Sequence, residues 1–156
     1  MRGGMMLELH KTTEAEKYII SDWKYEGKYA LYNKAPYDED LRTGRGFANV
    51  KSNFFSFVDG EKLVGFTNLV EEEKEVFVGI GANPAYCNQG YGQAMLRQTY
   101  DLAKLLFPDK PLYLEVRTWN MRAVRCYKKV GFCIDGKPFK ETTPIGEGLF
   151  YRMVKE

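Results

Sequence analysis

The chain has 156 residues, of which 44% are hydrophobic and 28% charged, and its formal net charge is +2. A chain of this length and composition can bury a proper core, so we expect one domain covering residues 1–156. The small net charge argues against a nucleic-acid-binding protein. No stretch approaches the roughly 20 consecutive apolar residues of a membrane span. We therefore expect neither nucleic acid nor membrane among the partners.

The three cysteines, Cys87, Cys126 and Cys133, are odd in number and show no C-x-x-C pairing. This pattern indicates neither a disulfide framework nor a zinc site, so it predicts no metal and favours a reducing, cytoplasmic location. The first four residues lack the apolar core of a signal peptide. We expect a frayed tail there, with Met5 or Met6 as an alternative start.

The first third of the chain predicts one strand, one helix and an irregular segment. Met6–His10 alternates apolar and polar residues, which is typical of a strand. Thr13 with Glu16 forms a capping-box pattern that opens a helix reaching about Trp23. Residues 24–51 are rich in tyrosine, glycine and charge, with room for one short helix. Such a segment is often where a scaffold carries its specificity.

The middle of the chain predicts three strands. Phe54–Val58 and Leu63–Val70 flank Asp59-Gly60, a strong hairpin signal. A further strand, Glu75–Ala82, follows an acidic turn. Beyond it we expect a long helix to Phe107, a strand at 112–116, a helix at 122–130, and strands at 132–139 and 149–154. This order predicts an α/β protein with a mixed sheet and helices on both of its faces.

Two segments carry chemistry. The strand at Glu75–Ala82 passes into Gln89-Gly-Tyr-Gly-Gln-Ala94, a glycine-rich turn that opens a helix and is suited to grip a phosphate. Downstream lies Asn120-x-Arg-Ala-x-x-x-Tyr127-x-x-x-Gly131-Phe132. Ala123, Tyr127 and Val130 share one helical stripe, so we expect Tyr127 to point inward.

Together these segments resemble the GNAT superfamily of N-acetyltransferases, over about residues 54–156. The family's acetyl-CoA signature, Q/R-x-x-G-x-G/A, fits either Gln89 to Ala94 or Cys87 to Gly92. We prefer the second register because Pro84 then falls at its usual place, although Cys87 stands where Gln or Arg is usual. The resemblance implies a single N-acetyltransferase domain. Its fold would be a mostly antiparallel sheet of six to seven strands with a splayed fourth and fifth pair.

The resemblance also implies a binding site for acetyl-CoA as co-substrate. Backbone N–H groups after the fourth strand would cradle the pyrophosphate, the end of that strand would pair with the pantetheine arm and polarise the thioester carbonyl, and Asn120 would hold the arm. The implied binding residues are Ile80, Gly81, Ala82, Asn88, Gln89, Gly90, Tyr91, Gly92, Gln93, Asn120 and Tyr127.

For catalysis, the resemblance implies that Tyr127 protonates the leaving CoA thiolate. A phenol with pKa near 10 suits a thiol leaving group of about 8.5. The attacking amine must also lose a proton. Glu115, in a Leu-Glu-Val-Arg sequence like that of relatives that acetylate protein N-termini, and Glu75 are the two candidate bases. Exposed strand carboxylates with no catalytic role remain the alternative for both.

Other reaction classes have little support. His10 has no nucleophile motif attached, and Cys126 lies about 100° around the helix from Tyr127, so both cannot face one thioester. Two hypotheses remain. The first is direct acetyl transfer to a primary amine, either a small molecule or a peptide N-terminus. The second is a catalytically weak acyl-CoA-binding or regulatory module. The acceptor pocket would come from residues 23–51 and 137–148, and a homodimer would be common for the family.

Overall fold

The computed structural model describes residues 6–87, 89–143 and 145–156. Those ranges contain eight β-strands and four α-helices, and the strands pair mostly antiparallel. The chain divides into two compact units. The N-terminal unit comprises the residues up to Val70 together with Ile80–Tyr91, and the C-terminal unit comprises Glu71–Gly79 and Gly92–Glu156.

Three antiparallel strands build the N-terminal unit. They are β1 (Leu7–Lys11), β2 (Phe54–Asp59) and β3 (Lys62–Glu71), with β2 between the other two. The predicted hairpin is confirmed: Asp59 pairs with Lys62, and Gly60 turns the chain at φ 63°. A positive φ favours glycine, which explains why this residue follows Asp59.

Two helices pack in the same unit. The first, α1 (Glu14–Ser21), begins at the predicted capping box, in which Thr13 and Glu16 each accept the other's backbone N–H. The second, α2 (Tyr37–Thr43), ends at Gly44, which adopts φ 71°. The core of the unit is largely aromatic and comprises Ile20, Trp23, Tyr37, Phe47 and Phe54, with Leu63 and Phe66 packed against it.

In the C-terminal unit, β8 (Gly146–Lys155) is the central strand. It pairs antiparallel with β5 (Leu112–Arg117) on one side and with β6 (Cys133–Ile134) and β7 (Phe139–Thr143) on the other. The strand β4 (Val76–Ala82) begins in this unit and runs parallel to β5. Their register covers only Val76 with Leu112 and Phe77 with Tyr113, which agrees with the predicted splayed pair.

Two longer helices complete the C-terminal unit, α3 (Tyr91–Leu106) and α4 (Met121–Val130). Asn120 caps the start of α4, and Gly131 ends it at φ 106°. The Phe132 N–H donates to the Tyr127 carbonyl at 3.0 Å, as in a Schellman motif. The core of this unit includes Leu114, Val124, Val130, Phe132 and Met153, each at most 3% exposed.

One predicted element was wrong. Instead of a single strand over 132–139, the chain forms β6 and β7 as two separate strands, with Gly136 at φ 77° between them. The turn at Gly136 ends β6 after two residues, so the number of strands rises to eight in the described ranges. Within those ranges, no helix is both long and apolar enough to cross a membrane.

Candidate active site

The glycine-rich turn leads into the first turn of α3. Gln89 and Gly90 are exposed, and Gly90 adopts φ 83° directly before the helix starts. The Tyr91 side chain is 6% exposed, and its hydroxyl donates to Asp59 at 2.5 Å, which lowers the pKa of that carboxyl. This hydrogen bond fixes the Tyr91 side chain where α3 begins, whereas Asn88 lies outside the described residues.

The turn before this helix is braced by Asn83. The Asn83 N–H donates to the Val64 carbonyl at 2.9 Å, and its side-chain oxygen accepts the Ala85 N–H at 2.9 Å. Cys87 Sγ lies 3.6 Å from the Asn83 carbonyl oxygen. The residue that departs from the usual signature thus directs its side chain onto the turn's own backbone.

The end of β4 lies against two aromatic residues of the N-terminal unit. A Cβ on Gly81 would lie 2.4 Å from Cε1 of Phe66, so any side chain there would collide with the ring. The Tyr25 hydroxyl donates to the Ala82 carbonyl at 2.7 Å, and burial raises the pKa of Tyr25. Ile80, Gly81 and Ala82 are all half-buried. Phe66 and Tyr25 therefore hold the end of β4 in place through packing and a hydrogen bond.

In the C-terminal unit, α4 carries the tyrosine that the motif singled out. Tyr127 is half-buried, on the stripe it shares with Ala123 and the buried Val130. Asn120 is 8% exposed, and its side-chain oxygen accepts the Ala123 N–H at 3.3 Å. This hydrogen bond fixes where α4 begins.

The start of α3 contacts α4 at Gly92. A Cβ on Gly92 would lie 3.4 Å from Cys126 Sγ, so the structure brings Gly92 to the helix that bears Tyr127. Burial raises the pKa of the Cys126 thiol, against the opposing effects of Lys129 and Arg97. A thiol that stays protonated is a poor nucleophile, which argues against an acyl-cysteine at this position.

On β5, Glu115 is half-buried and its pKa is raised. Burial is the largest cause, followed by the negative charge of Glu141 on β7 and a hydrogen bond between the two carboxyl groups. Arg152 on β8, directly across from Glu115 in the register, acts in the opposite direction. A carboxylate with a raised pKa is a better proton acceptor near neutral pH.

Glu75, the other candidate base, is held in an ion pair. Arg152 donates to both of its carboxylate oxygens, at 2.5 and 3.1 Å, and also to Asp135 at 3.1 Å. The same guanidinium lies 4.3 Å from the centre of the Tyr113 ring. The hydrogen bonds to Glu75 raise the pKa of Arg152 further, so this pair stays charged.

Sequence reasoning missed four residues that surround the predicted ones: Tyr25 and Phe66 beside the end of β4, and Glu141 and Arg152 beside Glu115 and Glu75. Each comes from a segment distant in sequence, and no short motif marks it. The only available signal was the tyrosine-rich composition around Tyr25.

Residues 15–132 match the sequence profile of the acetyltransferase (GNAT) family. The chain belongs to the GNAT family. Members of this family use acetyl-CoA, and the splay of β4 from β5 agrees with the fold that the resemblance of the sequence to GNAT enzymes led us to expect.

Two curated relatives are N-alpha-acetyltransferases. The chain is 34% identical over 94 residues to N-alpha-acetyltransferase RimI of Mycobacterium tuberculosis, covering 56% of each chain. It is 33% identical over 91 residues to an N-alpha-acetyltransferase of Sulfurisphaera tokodaii, covering 51% of this GNAT chain and 54% of the relative. The matched region thus spans about half the length of these relatives.

Solved structures share the fold over nearly the whole chain. Spermidine N-acetyltransferase from Vibrio cholerae, in complex with CoA and spermine, aligns with a TM-score of 0.74 at 18% identity, covering 96% of this chain and 94% of the other. The ribosomal-protein-S18-alanine N-acetyltransferase from Escherichia coli aligns with a TM-score of 0.69 at 20% identity, covering 96% and 92%. The GNAT fold is a mixed α/β fold, mostly antiparallel with a parallel β4–β5 pair.

Proposed function

We propose that this GNAT chain is an acetyl-CoA-dependent N-acetyltransferase that moves an acetyl group directly onto a primary amine. The observation that carries the proposal is the α4 arrangement, in which Asn120 caps the helix and Tyr127 lies half-buried on its apolar stripe. A protein that only bound acyl-CoA would not need a phenol at this position.

The start of α3 fits a pyrophosphate group. It offers the first-turn N–H groups and positive dipole end of a 16-residue helix, preceded by two exposed residues, Gln89 and Gly90. Because Tyr25 already donates to the Ala82 carbonyl, we assign most of the pairing with the pantetheine amides to Ile80 and Gly81. The same backbone would polarise the thioester carbonyl.

For proton transfer we assign Tyr127 as the acid toward the leaving thiolate and Glu115 as the base toward the acceptor ammonium. Burial and the neighbouring Glu141 support Glu115 in this role, because both raise its pKa and so make its carboxylate a stronger proton acceptor. Glu75 has its carboxylate oxygens engaged by Arg152, and we assign it the structural role of holding that guanidinium.

The acceptor class is open between a protein N-terminus and a polyamine or other small amine. The curated relatives are N-alpha-acetyltransferases, and a solved structure of the same fold is a spermidine N-acetyltransferase. The local sequence around Glu115 favours the N-terminal class. A homodimer and a cytoplasmic location stay predictions.

Thiol release from acetyl-CoA, measured over a panel of peptides with varied N-termini, polyamines and amino acids, tests the proposal. We expect Tyr127→Phe to lower turnover by about 10²- to 10⁴-fold while leaving acetyl-CoA affinity nearly unchanged. Tyr100→Phe is the matched control, because the Tyr100 hydroxyl on α3 donates to the backbone carbonyl of Glu156 and has no part in the proposed proton transfer. Equal turnover in Tyr127→Phe and the parent would exclude the acid role, and tight acetyl-CoA binding without turnover on any amine would favour the binding-module alternative.

A further inference from the structure

The N-terminal unit holds a lysine ammonium inside an aromatic cage. Nζ of Lys34 lies 4.9 Å from the ring centre of Phe47, 5.2 Å from that of Phe66 and 5.6 Å from that of Phe54. Three ring faces around one cation form an apolar environment that still attracts positive charge. Neither the acid nor the base of the proposed reaction uses this group.

The segment that bears Lys34 is tied to the end of β4. The side-chain oxygen of the preceding residue, Asn33, accepts the Tyr25 N–H at 2.7 Å, and the Tyr25 hydroxyl donates to the Ala82 carbonyl at 2.7 Å. Phe66 makes a second connection, because its ring faces Lys34 and its edge lies against Gly81. The Phe66 ring therefore contacts both this amine and the strand end at which the acetyl thioester is proposed to bind.

The environment of Lys34 also favours its reactive form. Burial lowers the pKa of Lys34, and the opposing effect of Asp40 is smaller. Asp40 is itself buried and accepts the Phe47 N–H at 3.1 Å, so part of its charge is already satisfied. An amine that loses its proton more easily than an exposed lysine is a better nucleophile toward a thioester.

We propose that Lys34 is an acetylation site of this chain, modified in cis by the chain's own acetyl transfer. The inference rests on the proposed function. The neutral amine of Lys34 attacks the carbonyl carbon of the thioester, an N–C bond forms and the C–S bond breaks. One proton leaves the ammonium before attack. Tyr127, the acid of the proposed function, donates a proton to the departing thiolate and is reprotonated by the second proton from nitrogen, so the products are N-acetyl-lysine, CoA thiol and one released proton. The modification removes the cation from the cage.

The test uses the purified full chain and acetyl-CoA carrying an isotopically heavy acetyl group, followed by peptide mass spectrometry at a series of protein concentrations. We expect heavy acetyl on Lys34 at a rate independent of protein concentration and roughly tenfold or more above that of Lys28. Lys28 is the matched control because it is exposed, lies in the same segment and has its Nζ 5.8 Å from the Tyr29 ring centre. Tyr127→Phe should slow the labelling of Lys34.

Absent label on Lys34, a rate equal to that of Lys28, or an equal rate in Tyr127→Phe would overturn the inference. The amine panel separates this failure from failure of the proposed function. Turnover on added amines with Lys34 unlabelled removes the inference and leaves the function standing, whereas loss of both removes both. The variant Lys34→Arg keeps the cation but cannot be acetylated in this way, so it should lose the label.

Discussion

Lys34 in the N-terminal unit and Glu115 in the C-terminal unit are both half-buried, and both have a pKa moved toward the neutral form. Burial among aromatic rings lowers the pKa of Lys34, while the charge of Asp40 opposes the change. Glu115 is moved by burial and, in addition, by a second carboxyl group, Glu141. The pKa of Lys34 therefore depends mainly on ring packing, whereas the pKa of Glu115 also depends on a single neighbouring charge.

The largest effect expected from this comparison is on catalysis. Glu115→Gln removes the proposed base, and we expect kcat/KM to fall about 100-fold or more with acetyl-CoA affinity retained. Glu75→Gln, which keeps a hydrogen-bonding partner for Arg152, should lose less than about tenfold. Steady-state kinetics with a fixed amine measures both. If the two variants lost the same factor, Glu115 would not be the distinct base.

The next effect compares the two cations. Arg152→Met leaves the half-buried carboxylate of Glu75 without its bidentate partner, so we expect the free energy of unfolding to fall by about 1–3 kcal/mol. Lys34→Met places an apolar chain of similar length among the three rings, and we expect a change within about 1 kcal/mol. Urea unfolding with unchanged m-values measures both. An equal loss in the two variants would show that the cage depends on charge as much as the ion pair does.

Adding a methyl group at one glycine of each unit compares how tightly the two units are packed there. Gly81→Ala drives a methyl group into the Phe66 ring, so we expect a loss of about 1–3 kcal/mol of stability. Gly92→Ala, in the first turn of α3, brings a methyl group to 3.4 Å from Cys126 Sγ and should change stability by less than about 1 kcal/mol, with a gain from helix propensity. Thermal unfolding of both variants measures the two changes in stability. A larger loss in Gly92→Ala would contradict the packing described for β4.

The smallest expected effect is a shift in pH dependence. A general base acts when deprotonated, so the raised pKa of Glu115 places the acid limb of kcat/KM higher than that of an ordinary glutamate. Glu141→Gln removes the neighbouring negative charge, lowers the pKa of Glu115 and should move this limb to lower pH. Glu147→Gln is the control, because Glu147 is exposed and pairs with Lys140. An unmoved or upward-moved limb in Glu141→Gln would contradict the coupling.

The parts of the structure that the sequence predicted depend on contacts over a few residues. Thr13 with Glu16 begins α1, Gly60 turns the β2–β3 hairpin, and Asn120 and Gly131 bound α4, each through hydrogen bonds or dihedral angles set locally. The one element that was wrong, at 132–139, failed because a single glycine turn at Gly136 divided a stretch that otherwise has strand composition.

The surroundings of the site could not be predicted in the same way. The cage joins Phe47, Phe54 and Phe66, which lie before β2, at its start and within β3, and only the pairing of those strands brings the rings together. Glu141 reaches Glu115 across β8, so their coupling depends on the register of β5 and β7 on that strand. Nothing in the separation of these residues along the chain indicates either contact.

Each unit carries one of the chain's two tryptophans. Trp23 is 8% exposed, and its ring centre lies 6.2 Å from that of Phe66, one wall of the Lys34 cage, whereas Trp119 is half-buried directly before Asn120. Indole fluorescence shifts to shorter wavelength when water is excluded. Replacing either tryptophan with phenylalanine therefore leaves the other as an optical probe of its own unit. With Trp23 alone, a change in the charge or occupancy of the cage becomes a shift in emission that can be followed in real time without labelling the protein.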